Sequence, residues 1–114
     1  MNYYENFVLI EPSLPDEEID QVSAKIQEEI RKGGGEIIKE DRWGRRKLAY
    51  ELNKRTQGYY ILYTFKAPPE IVRSMERFYR VYEPVFKFMI IKLSKKEIEA
   101  LQEQLKGSTT TEEA

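Results

Sequence analysis

The amino-acid sequence predicts an α+β domain with elements in the order strand, helix, strand, strand, helix, strand. Three observations carry this reading. Strand-like runs occupy residues 3–10, 36–52, 59–66 and 85–93; two amphipathic runs at helical spacing fall between the first and second and between the third and fourth of these; and 114 residues suit one hydrophobic core.

The first strand, residues 3–10, is aromatic and β-branched and closes in the apolar run Phe7-Val8-Leu9-Ile10 before Pro12. Ser13-Leu14-Pro15-Asp16 has the form of a capping box and predicts a helix start. Ile19, Val22, Ile26 and Ile30 then recur at helical spacing among charged residues, until Gly33-Gly34-Gly35 ends the run. Residues 36–52 begin with Ile37-Ile38 and end with Leu48, Tyr50 and Leu52 alternating with Lys47, Ala49 and Glu51, a period of two that means a strand. Gly44, between Trp43 and Arg45, predicts a bulge or bend in its middle. Residues 53–58 are polar and end in Gly58, and beyond them Tyr59, Ile61, Tyr63 and Phe65 alternate with Tyr60, Leu62, Thr64 and Lys66, completing a hairpin with a basic tip.

Pro68-Pro69-Glu70 suits the start of a second helix, whose apolar stripe is Ile71, Met75, Phe78 and Tyr82. The last strand follows Pro84. Ser94-Lys95-Lys96-Glu97 is another capping box, and Ile98, Leu101 and Leu105 predict a short C-terminal helix. The polar tail from Gly107 is expected to be disordered, which places the domain at residues 1–106 and the tail at 107–114. Right-handed crossovers put the first and third strands at the centre of an antiparallel four-stranded sheet, the second and fourth at its edges, and both main helices on one face.

Composition removes much enzyme chemistry. Without cysteine there is no disulfide, thiolate metal site or thiol nucleophile, and without histidine no neutral-pH acid or base of the ordinary kind. Glu40 and Asp41 point to opposite faces of a strand, and the triple glycine follows a helix where a phosphate cradle would precede one. No catalytic residue, metal site, cofactor or small-molecule substrate is expected. The apolar runs are far shorter than the ~20 residues of a membrane span, and a soluble cytoplasmic protein is the simplest reading.

The net charge of −1 hides an uneven distribution. Between residues 42 and 55 six basic side chains, Arg42, Arg45, Arg46, Lys47, Lys54 and Arg55, stand against one acid, Glu51. Such a patch on a near-neutral protein fits selective docking on phosphate, although a lysine- and arginine-rich strand is also an ordinary way to protect a sheet edge. Arg45, Arg46, Lys47, Lys54 and Arg55, helped by Arg80, Lys87 and Lys92, are the candidate RNA contacts. Strand alternation puts Arg45 and Lys47 on one side and Arg46 on the other. The second strand, as a sheet edge that exposes Ile37, Ile38 and Trp43 unless they are covered, is the candidate seat for a protein partner, with burial of Trp43 in the chain's own core as the competing possibility. Gln57-Gly58-Tyr59-Tyr60-Ile61-Leu62-Tyr63-Thr64 partly echoes the base-stacking strand of RNA recognition motifs, so a single-stranded RNA binder, or a protein-interaction module of the same fold, is the alternative; core packing is the expected role of most of these rings.

Trp43-Gly44-Arg45-Arg46-Lys47-Leu48-Ala49-Tyr50, with Leu52-Asn53-Lys54 and Gly58-Tyr59, resembles the signature region of the bacterial small-subunit ribosomal protein six family. Tyr4-Glu5, Pro12, Val85, Lys87, Met89 and Lys92 also fall where that family has similar residues. The resemblance implies a ferredoxin-like fold, no catalysis, and binding to the central domain of 16S ribosomal RNA as a pair with ribosomal protein eighteen. Asn2 stands where the family often has arginine, and Glu51 where many members have proline.

Overall fold

The computed structural model describes residues 1–52 and 54–113, with side chains through residue 105. Its elements are β1 (Asn2–Ile10), α1 (Asp16–Lys32), β2 (Glu36–Leu52), β3 (Arg55–Ala67), α2 (Ile71–Val81), β4 (Val85–Lys92) and α3 (Lys95–Glu113). The sheet order is β2-β3-β1-β4 with every neighbouring pair antiparallel, the expected arrangement of a ferredoxin-like α+β fold. The expected short C-terminal helix runs on as α3 to Glu113, so the polar segment expected to be a disordered tail from Gly107 is helical up to that residue.

Pleating divides the sheet into two faces. Tyr4, Val8 and Ile10 of β1 and Ile61, Tyr63 and Phe65 of β3 are buried with Ile19, Ile26 and Ile30 of α1 and Ile71 and Met75 of α2, so both helices cover one face. The opposite, more open face carries Phe7, Tyr60, Leu62 and Met89, with Met89 still exposed. Polar groups inside the core are paired: the Tyr79 hydroxyl donates to Asn6, whose amide donates to the Met89 carbonyl at 3.1 Å, and no buried side-chain polar atom among the described residues lacks a partner. Burial pushes the Tyr79 hydroxyl well above its ordinary pKa, so it stays a neutral donor.

Local signals at helix ends were obeyed selectively. Ser94 and Glu97 form the reciprocal capping box, with the Glu97 amide donating to Ser94 Oγ and the Ser94 amide to Glu97 Oε1. Ser13 does not cap α1. Its hydroxyl turns to Glu11, and the helix begins at Asp16 behind an extended Pro15. The reason lies in Pro15, which disfavours helical backbone at Leu14 and so delays the start past the reach of Ser13. At the other end Gly34 takes φ +83°, and the Gly35 amide donates back to the Ile30 carbonyl at 2.9 Å, closing α1 as the glycine run predicts.

Candidate nucleic-acid interface

The two halves of β2 are held differently. Up to Arg42 the strand is tied to α1 by a polar chain. Ser23 Oγ donates to Glu40, and with its one proton so used it accepts from the Tyr63 hydroxyl at 2.7 Å and the Gln27 amide at 3.2 Å. Arg42 then donates to Glu40 at 3.1 Å and to Asp20. Burial pushes the Tyr63 hydroxyl up beyond the usual tyrosine range, keeping it a donor. Ile37 is partly buried and packs against the core, so it offers a partner less apolar surface than an uncovered strand edge would. Ile38 is half-buried, and Trp43 is 41 % exposed.

The expected bulge is at Gly44. Its φ is +83°, no atom would lie within 4 Å of an added Cβ, and the β2–β3 register slips between Arg42 and Gly44. Beyond it Arg45 and Arg46 diverge to the two sides, as alternation requires. Arg45 turns to the helix side, where it donates to the carbonyls of Pro12 at 2.9 Å and Leu14 at 2.7 Å and to Asp16 at 2.9 Å, with its guanidinium over the Tyr59 ring. Arg46 lies on the open face over the Trp43 ring, 5.7 Å from its centroid. Trp43 in turn stacks on Tyr60 and meets Phe7 edge-on, at 6.2 and 5.5 Å.

The candidate cations therefore separate by environment. Arg55, at the start of β3, pairs with Glu11 and sits over the Phe86 ring, so it and Arg45 brace the loop that follows β1. Arg46, Lys47, Lys54 and Lys87 are exposed and, among the described residues, form no ion pair. Lys54 is at the hairpin tip with φ +65°, and Lys87 pairs across the sheet with Leu9 near the same end. Lys92 pairs with Tyr4, five residues back along β1 and so roughly 17 Å away at the usual strand rise. Arg80 is exposed in the last turn of α2, in the helix layer. The hairpin end thus gathers four of the eight predicted cations in an uncompensated state.

The rings sort in the same manner. Tyr63 is core and Tyr59 packs against the helix side, as expected for most of them, while Tyr60 is on the open face. What sequence reasoning missed is the path of residues 48–52. Between the pairs Lys47–Gln57 and Leu52–Arg55, β2 has four residues where β3 has only Thr56, so this arm leaves the ladder and walls a cleft of about 200 Å³ against Phe7, Tyr60 and Met89. The alternation of Leu48, Tyr50 and Leu52 signalled a strand but not the extra residues opposite Thr56.

The family model for ribosomal protein S6 matches residues 3–92, an interval that reaches into every strand and includes the basic hairpin. The chain belongs to the ribosomal protein S6 family. It is 43 % identical over 91 residues to small ribosomal subunit protein bS6 of Clostridium novyi, covering 80 % of this chain and 96 % of that one. It is 38 % identical to the Nitratiruptor bS6 over 119 aligned positions that cover 98 % of this chain and 93 % of the relative. The crystal structure of 30S ribosomal protein S6 from Thermotoga maritima superposes with a TM-score of 0.81 at 28 % identity, over 90 % of this chain and 97 % of that one. S6 proteins are structural, non-enzymatic constituents of the small subunit of the bacterial ribosome. In this S6 chain, groups of three or more potential metal-ligating side chains are absent among the described residues.

Proposed function

We propose that the chain binds the central domain of 16S ribosomal RNA together with ribosomal protein eighteen, with Arg46, Lys47, Lys54 and Lys87 contacting phosphate. The observation that carries this is the grouping of those four exposed cations, none ion-paired among the described residues, at one end of the sheet, while Arg45 and Arg55 beside them are engaged within the chain. Charge left uncompensated at one site is what a polyanion recognises. The protein partner takes the free edge of β2 and the exposed ring of Trp43, since an unpaired strand edge offers backbone donors and acceptors.

Single replacement of Arg46, Lys47 and Lys54 by glutamine, with assembly on 16S central-domain RNA measured over a salt series with and without the partner protein, tests this. Each lost phosphate contact lowers the logarithmic salt slope by roughly 0.7–0.9. Assembly of all three variants with the parent slope makes the patch a solvated edge.

A further inference from the structure

We propose that the cleft between the β2 arm and the open face of the sheet receives one unstacked nucleobase of the RNA. This deepens the RNA-binding reading above and rests on it.

The cleft exists because residues 48–52 bow out of the ladder, leaving Leu48 and Tyr50 to face Phe7, Tyr60 and Met89 across a gap. Its volume, about 200 Å³, is below the roughly 300–1,000 Å³ of sites that enclose whole small ligands, and suits a single ring system. The lining is apolar and aromatic. Phe7 and Tyr60 meet edge to face with centroids 5.2 Å apart, so a planar group entering the cleft finds both a ring face and a ring edge. Met89 remains 49 % exposed at the mouth, an apolar surface that an occupant would remove from water.

Charge decides between occupants. Lys87 lines the cleft itself, Lys47 and Lys54 flank the two ends of the arm, and Arg46 is joined to Tyr60 through the intervening Trp43 ring. An apolar, ring-sized cleft with a cationic rim complements a nucleotide, whose base is a flat π-surface and whose phosphates are anionic. An uncharged protein side chain would fill the floor and leave the rim unanswered. The A-form stem of an RNA would meet the rim and leave the floor empty, so the favoured ligand is an unpaired nucleotide flanked by its phosphates.

The test uses the full chain and three probes: the single-stranded RNA hexamer (AC)3, an abasic hexamer of the same charge, and N-acetylphenylalaninamide. Methionine methyl groups are followed by NMR, with the fully buried Met75 as internal control for Met89. The (AC)3 strand moves the Met89 methyl and not that of Met75, and binds about tenfold more tightly than the abasic strand, within the range that base–aromatic stacking supplies. Tyr60→Leu, which keeps apolar bulk without the ring, reduces that ratio towards one while preserving the salt slope. If Tyr60→Leu fails to fold, the comparison of the two strands on the parent chain still decides. Absence of a Met89 shift with (AC)3, equal affinity for the two strands, or a Met89 response to the phenylalanine amide but not to (AC)3 each overturns the base site. The glutamine series on 16S RNA reads phosphate contact separately, so the base site fails alone if those salt slopes fall as expected, and both readings fail if they do not.

Discussion

Before Gly44, the charged side chains of β2 that turn to the helices find partners inside the molecule: Glu40 meets Ser23, and Arg42 bridges Glu40 and Asp20. After Gly44, Arg46 and Lys47 face solvent, and residues 48–51 lose their one-to-one pairing with β3. The first half, residues 36–43, carries three acids against two cations and the second, residues 45–52, three cations against one acid, and the hydrogen bonds and ion pairs to the body of α1 come from the first. Where the helix overlies the strand, a charged side chain must be paired or pay desolvation, and an acid is supplied for each cation; past the helix N-terminus that pressure ends and cations can remain available to a ligand. Arg45 marks the border, since it still reaches back to the carbonyls of Pro12 and Leu14.

The largest test of this contrast is in the anchored half. Ser23→Ala removes the atom that joins Glu40, Gln27 and the buried Tyr63 hydroxyl, leaving at least the last without its partner, and is expected to lower unfolding free energy by about 1–3 kcal/mol in denaturant melts. RNA affinity of the folded variant should hold. A loss of affinity at unchanged stability would mean that the anchored half itself contacts RNA.

Gly44→Ala addresses the border. No atom would crowd the new methyl, so the cost comes from φ +83° alone, about 1–2 kcal/mol by the same melts. Gly44→Asn should cost less, because asparagine tolerates left-handed backbone better than alanine. Equal effects of the two replacements would show that the bulge relaxes and that glycine is not needed to divide the strand.

Much of this was legible in the sequence, and the exceptions share a cause. Period-two runs, the glycine stop after α1 and the Ser94/Glu97 cap depend on neighbours within a few residues, and they appear where read. Gly44 announced its bulge. The Ser13 cap failed because the conformational restriction that Pro15 places on Leu14 was stronger than one side-chain hydrogen bond. The basic patch was visible as a cluster, but charge counting could not separate Arg45 and Arg55 from Arg46 and Lys47, because their partners Asp16 and Glu11 lie 29 and 44 residues away. The partial burial of Ile37 was hidden for the same reason, since the core it packs against is built from distant parts of the chain.

The smallest expected effect concerns the brace beneath the arm, where Arg55 pairs with Glu11. Burial pushes the Glu11 carboxyl up, but the hydrogen bond and charge of Arg55, with help from Ser13, outweigh it and hold the group below its ordinary value of 4.5. A carboxylate depressed in the folded state stabilises the fold above its unfolded pKa, and that contribution disappears as pH falls through the folded value. For a partly exposed pair its size is about 0.2–1 kcal/mol. The stability difference between the parent and Glu11→Gln should therefore be constant above about pH 4.5 and shrink below it, as followed by denaturant melts at a series of pH values. Because Arg55 is braced and Arg46 is not, Glu11→Gln should also leave the salt slope for RNA almost unchanged; a slope that rises by about one would show Arg55 released to phosphate, and would make its pairing with Glu11 a constraint on RNA binding as well as a support for the hairpin.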